Sequence, residues 1–181
     1  MVLAGKRLLF WAISVVLILM IPLVAMQFTG EVNWGILDFA VMGTGLMSIG
    51  LVYELIVRKS NQKTYRIAFG VAIAAIFLLF WINGAVGIIG NEGQPANMLY
   101  SLVIGVVLIG ALLARFKARG MAITLITAAA VQMLVPVIAL VIWPPGVASW
   151  SPGVLGVFIL TAFFAFLLTV SALLFKRAST S

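Results

Sequence analysis

Every cation of this chain lies in one of four short clusters, and long, nearly uncharged apolar stretches separate the clusters. All eleven Lys and Arg residues fall within positions 6–7, 58–66, 115–119 and 176–177. Two runs of roughly 20 apolar residues, the length of one membrane crossing, fit between each consecutive pair of clusters. Six crossings therefore put every cation on one side of the membrane, and the positive-inside rule identifies that side as the cytoplasm.

This pattern predicts an all-α, polytopic integral membrane protein, a six-helix transmembrane bundle with both termini in the cytoplasm. A single transmembrane domain over residues 1–181 is expected, because apolar residues make up 65% of the chain and charged residues 8%. The expected spans are residues 8–28, 35–57, 67–90, 98–114, 121–143 and 153–175.

Composition also excludes several functions. The net charge of +7 is divided among juxtamembrane clusters, so it suits anionic headgroups on the cytoplasmic side and not a nucleic acid. The chain has no Cys and no His, which excludes disulfides and Cys/His metal sites, and no metal or cofactor is expected. Asp38 and Glu54 lie sixteen residues apart on one predicted helix, about 24 Å, too far for an aspartyl pair. We therefore do not expect an enzyme.

The polar residues within the apolar spans are the candidate ligand or pathway residues. Asp38 is interpreted either as a proton or cation site or as a carboxylate that stabilises a helix N-terminus. Asn83 and Gln132 need partners in hydrocarbon, and they suit either an interhelical hydrogen bond or a polar pathway. Glu54 is predicted to pair with Arg58, four residues further along the helix.

The most unusual segment is residues 81–97, where glycines recur every third position and amide side chains crowd the outer end. Two interpretations stay open: a tightly packed helix end with a capped turn, or a partly unwound segment that faces a ligand. Asn91 and Glu92 are candidate ligand residues under the second interpretation, and Asn97 is expected to cap the fourth span.

Small residues predict close contacts between helices, because they let backbones approach in a membrane. The predicted packing positions are Gly43, Gly50, Gly84, Gly87, Gly90, Ser101 and Gly105. The six spans also form three hairpins of similar pattern, with Pro22, Asn83 and Pro136 at matching depths. Either a triplicated hairpin or the general likeness of apolar helices accounts for that pattern.

The string NGAVGIIG, followed by PAN, resembles a family of small, uncharacterised bacterial inner-membrane proteins. The resemblance covers the centre of the chain best. It implies a bacterial plasma-membrane setting and implies no particular activity.

The function expected from these features is that of a binding, sensory or assembly subunit in the membrane. Its expected partner is a second copy of the chain or another membrane protein. The alternative is a small transporter or channel with a polar path near Asp38, Asn83 and Gln132.

Overall fold

The computed structural model describes residues 2–28, 33–57 and 60–180, with side chains from Arg7 onward. Within these ranges the chain forms six α-helices and one short 3-10 helix, and no β-strand. The α-helices are α1 (Val2–Phe28), α2 (Ile36–Val57), α3 (Lys63–Ala85), α4 (Tyr100–Leu113), α5 (Ala118–Ile142) and α6 (Val154–Thr180), and the 3-10 helix is Pro95–Leu99.

The all-α class predicted from the sequence is confirmed. In the described part of the chain, six helical segments are long and apolar enough to cross a membrane, the fourth being the 3-10 helix together with α4. The observed helices follow the predicted spans closely at most ends. Helix α1 begins six residues before its predicted span and α6 ends five residues after its own. Helix α3 ends at Ala85 and not at Gly90, because Gly87 and Gly90 adopt positive φ angles.

Contacts divide the chain into two compact units, residues 1–58 and residues 59–181. In the first unit α1 packs against α2 through small residues. A Cβ built on Gly50 would lie 2.7 Å from the Trp11 ring, and one on Gly43 would lie 3.3 Å from Leu19. These two glycines therefore set how closely the helices approach.

One end of this two-helix unit is held together by polar contacts to Glu54. Its carboxylate accepts a hydrogen bond from Arg7 at 3.1 Å and another from the Trp11 indole at 3.4 Å. The pair is partly exposed, so its contribution to stability is small. The predicted partner Arg58 lies outside the described residues, and the described ion pair of Glu54 joins two helices.

The second unit contains α3, α4, α5 and α6. Helix α6 packs against both α3 and α5, and α4 packs against α5, while α3 and α4 contact each other sparsely. Buried residues recur at alternating spacings of three and four on α5 and α6, as in packed helix bundles. They are Met121, Leu125, Ala128, Gln132, Val135 and Ala139 on α5, and Val157, Thr161, Phe164, Leu168, Ser171, Phe175 and Ala178 on α6.

Aromatic side chains close one end of the second unit, near the turn between α4 and α5. The ring of Tyr65 lies edge-on to the ring of Phe175 at 5.1 Å, and Phe69 packs against both. Arg115 and Phe116 adopt positive φ angles in the turn, which non-glycine residues rarely do. The Tyr65 hydroxyl donates to the Phe116 carbonyl at 2.6 Å and so fixes this turn.

The proposed triplication of hairpins stays a prediction. Pro22 and Pro136 lie inside α1 and α5, each six residues before the last residue of its helix (22 to 28 and 136 to 142). Asn83 lies closer to the end of α3, two residues before Ala85.

Candidate functional site

Between α3 and the 3-10 helix the chain leaves helical geometry and forms a closed loop over residues 86–94. Gly87 and Gly90 both have φ angles of 73°, in the left-handed region that favours glycine. Ile88 and Ile89, which lie between these two glycines, are almost completely buried. The loop is therefore not helical, as the interpretation of an unwound segment predicted. Its two isoleucines nevertheless pack into the protein interior.

The Asn97 side chain holds this loop from within. Its Oδ1 accepts hydrogen bonds from the backbone N–H groups of Ile88 at 3.0 Å and Ile89 at 2.9 Å. Its Nδ2 donates to the carbonyl of Ile89 at 3.0 Å and to that of Asn91 at 2.6 Å. One buried amide therefore satisfies two backbone donors and two backbone acceptors, and we call this arrangement the Asn97 clamp.

The prediction that Asn97 caps the fourth span is wrong. Helix α4 begins at Tyr100 without a hydrogen bond from a capping side chain, and Asn97 lies inside the preceding 3-10 helix. The sequence could not reveal the clamp, because its partners are backbone groups that become available only when the chain departs from the helix.

Gly87 and Gly90 are needed for their positive φ angles and also because other backbone groups lie very close to them. A Cβ on Gly87 would meet the Asn91 carbonyl and would lie 2.6 Å from the Asn97 amide nitrogen. One on Gly90 would lie 2.6 Å from the Ser149 carbonyl oxygen. The Gly90 N–H donates to the Ser151 carbonyl at 3.1 Å, which ties this loop to the loop between α5 and α6.

The three other candidate residues of this segment are in different environments. The Asn83 amide donates to the Asn97 backbone carbonyl at 3.1 Å, whereas its Oδ1 is buried without a hydrogen-bond partner. Asn91 and Glu92 are exposed at the surface of the loop. The segment thus contains one buried carbonyl oxygen without a partner, that of Asn83, and exposed side chains at Asn91 and Glu92.

Two further polar contacts inside the second unit were not predicted from the sequence. The hydroxyls of Tyr100 and Thr161 lie 2.8 Å apart in the interior, and Ser171 donates to the Ala68 carbonyl at 2.7 Å. The hydroxyls of Ser48 and Thr169, in contrast, donate to carbonyls of their own helices. The heptad positions of Thr161 and Ser171 on α6 were the available signal, because side chains at those positions face the interior.

Gln132 is the most deeply placed candidate residue. It has no exposed surface, and both its carbonyl oxygen and its amide nitrogen lack hydrogen-bond partners among the described residues. In the interhelical interpretation this amide would join two helices, and the structure shows no such bond. A buried amide without partners is costly, particularly in hydrocarbon.

Asp38 lies in the first turn of α2 and is exposed. Its carboxylate accepts a hydrogen bond at 2.8 Å from the backbone N–H of Gly35, the residue just before the helix. This is the geometry in which a third-position carboxylate satisfies a free donor at a helix start. Asp38 belongs to the first compact unit, whereas Asn83 and Gln132 belong to the second.

Substitution of Asp38 therefore tests a helix-end role. Asp38→Asn should lower the free energy of unfolding by no more than about 1 kcal/mol, since it removes a favourable charge at the helix N-terminus but keeps an acceptor. Asp38→Ala should cost somewhat more, because it also removes the acceptor. Thermal unfolding of both variants in detergent measures this order. A large loss in Asp38→Asn would show that the charge has another role.

Three predicted packing positions differ from expectation. No heavy atom of the described chain lies within 4 Å of a Cβ built on Gly84 or Gly105, and Ser101 is exposed. Helix α4 packs through a different face, which carries Val103 and Val107. A small residue permits close approach without requiring it, so the sequence could not identify the packed face.

No protein-family model, no curated protein and no solved structure matches this chain. The structural features that bear on its function are the exposed helix faces of the first unit and the Gln132 amide, which has no hydrogen-bond partner among the described residues.

Proposed function

We propose that this chain is a multi-pass protein of the bacterial inner membrane that assembles with membrane-embedded partners, with both termini in the cytoplasm. The six apolar helices support the multi-pass character. The four cation clusters support the orientation and an interaction with anionic lipid headgroups on the cytoplasmic side. No catalytic role is proposed, since a chain without His or Cys lacks the commonest general base and the thiol nucleophile, and Asp38 and Glu54 are too far apart to form a pair.

The observation that carries this proposal is a face of α2 that combines small residues with exposure. Thr44, Gly45 and Ser48 lie on one side of the helix and are all exposed. Nothing in the described chain lies within 4 Å of a Cβ built on Gly45. In lipid, small residues on a helix face gain little from contact with acyl chains, but they let a second helix approach closely.

The other face of the same unit supports an assembly role too. An apolar groove runs along α1 and is lined by Val16, Leu19, Met20 and Leu23, with Phe39 from α2. These α1 residues follow the i, i+3, i+4, i+7 spacing of one helix face, which suits the side chains of a third helix. Little of the apolar length of α1 is buried within the structure, whereas α5 and α6 are buried most.

A cysteine cross-linking experiment tests the role of the α2 face with a second copy as the partner. The natural chain has no Cys, so Ser48→Cys introduces a single thiol on the proposed face. Under oxidation in native membranes this variant should form disulfide-linked dimers. Leu17→Cys is the matched control, because Leu17 is 63% exposed near the middle of α1 but lies outside the small-residue face.

Gly45→Leu added to Ser48→Cys provides the second arm. A Cβ at this position meets no neighbour within the described chain and Gly45 is exposed, so folding should be unchanged, while the leucine should block close approach of another helix. Cross-linking should then fall to the level of the Leu17→Cys control. Equal cross-linking of all three variants would contradict self-assembly through this face.

A small transporter or channel is the second candidate function, and the unpartnered polar atoms of Asn83 and Gln132 favour it. Asp38 is satisfied at a helix end, so it adds little to a polar path. Solute or proton flux in proteoliposomes that is lost in Gln132→Leu and kept in Asp38→Asn would support this alternative.

A further inference from the structure

Gln132 lies near the middle of its helix, fourteen residues after Ala118 and ten before Ile142. Its amide has two N–H donors and one carbonyl acceptor, none of which has a partner in the described part of the chain. Its side chain is completely buried, so neither bulk water nor lipid reaches it. Leaving all these groups unsatisfied would cost several kcal/mol, which points to a bound guest molecule.

The bounds of α5 and α6 show which residues of α6 lie at about the same depth as Gln132. The two helices are antiparallel neighbours joined by the loop after Ile142, so equal distances from the loop lie at similar depth. Ten residues back from Ile142 is Gln132, and ten residues forward from Val154 is Phe164. Thr161 lies three residues nearer the loop, about 4.5 Å along the helix axis.

At about this depth Thr161 and Tyr100 form a hydroxyl pair that has unused hydrogen-bonding capacity. Its Oγ1 lies 2.8 Å from the Tyr100 hydroxyl, and both side chains are completely buried. Only one of the two hydroxyl protons is used in the bond between them. The other proton has no acceptor in the described chain, and lone pairs remain free on the oxygens.

We propose that an internal water site lies between the Gln132 amide and the Tyr100–Thr161 hydroxyl pair. A buried water needs two to four polar partners (about three on average), and the amide oxygen, the amide nitrogen and a hydroxyl supply them. On α5 the turn before Gln132 carries the small buried residues Ala128 and Ala129, which leave more room on that side than larger side chains would.

The uncharged polar groups of the interior suit a small neutral molecule such as water. The buried polar side chains of the described residues are Asn97, Thr124, Gln132, Thr161 and Ser171, none of which is charged. An ion at this depth would therefore lack a counter-charge. Gln132 and Thr161 have no exposed surface, so the interior offers no open path for a large solute.

Radiolytic hydroxyl-radical labelling tests the water site, because radicals formed from bound water modify side chains beside it even when these are buried. The full-length protein in lipid nanodiscs is irradiated, and modification is mapped by mass spectrometry. Phe164 should be modified faster than Phe175, although both are completely buried. In Gln132→Leu the rate at Phe164 should fall to that at Phe175. Equal rates at the two rings in the natural protein would overturn the proposal.

A second variant keeps the test independent of any folding defect. Tyr100→Phe retains the ring but removes one hydroxyl of the pair, and it should also reduce labelling of Phe164. Both variants must elute as the natural protein does and keep its helical circular dichroism. Folded variants with undiminished labelling of Phe164 would exclude these groups as water ligands. The water site does not rest on the assembly role, and the Ser48→Cys cross-link should be unaffected by either variant.

Discussion

Asn97→Ala is expected to lower the free energy of unfolding by at least about 3 kcal/mol, because it leaves three buried backbone groups without hydrogen-bond partners. The N–H groups of Ile88 and Ile89 lose their acceptor, and the Ile89 carbonyl loses its donor. Both isoleucines are at most 1% exposed, so water cannot replace the lost bonds without opening the loop. The loss should appear as a large drop in the thermal unfolding midpoint in detergent.

Asn91→Ala is the matched control for this variant. It removes an amide of the same kind from the loop that Asn97 holds, but Asn91 is exposed and contributes only its backbone carbonyl to the clamp. The carbonyl survives the substitution, so the midpoint should change little. A similar midpoint for the two variants would show that the Asn97 side chain does not hold the loop.

Gly87→Ala should also lower the free energy of unfolding strongly, by about 2 kcal/mol or more. A left-handed backbone costs a non-glycine residue about 1–2 kcal/mol, and the φ angle of Gly87 is 73°. The added Cβ would also meet the Asn91 carbonyl and the Asn97 amide, so the clamp itself must shift. Gly87→Leu should be still more disruptive, and chemical or thermal unfolding measures both.

Gly84→Ala, three residues earlier, should act in the opposite direction. Gly84 is helical and exposed, and a Cβ there meets nothing within 4 Å. Replacing a helical glycine by alanine stabilises a helix by about 0.5–1 kcal/mol. Two identical substitutions three residues apart should thus differ in sign, and a loss in Gly84→Ala like that in Gly87→Ala would contradict the assigned backbone geometry.

The helices were predicted well because they depend on interactions between residues that are close in the sequence. A run of about 20 apolar residues must satisfy its own backbone in a membrane, and a helix does so. The end of α3 was misplaced because apolar residues continue to Gly90, whereas the chain leaves the helix after Ala85. Spacing alone does not distinguish a helical glycine such as Gly84 from a left-handed one such as Gly87.

The candidate site was less predictable because its contacts join distant residues. The helix-end interpretation of Asp38 needed only the first turn of α2, and the structure places the carboxylate there. The roles of Asn97 and Thr161 depend on a loop path and on a neighbouring helix, which no local pattern contains. For Gln132, the sequence predicted that a partner is needed but not that the described chain supplies none.

The packing order of the second unit has a consequence for how the protein is made. Helix α3 packs mainly against α6, which is synthesised after α4 and α5, and it contacts α4 sparsely. During insertion α3 therefore lacks its main packing partner until α6 has been synthesised. The Asn97 clamp uses only residues 88–97, so it can form as soon as the ribosome has delivered this stretch. It is placed to fix the turn between the two nascent spans during that interval.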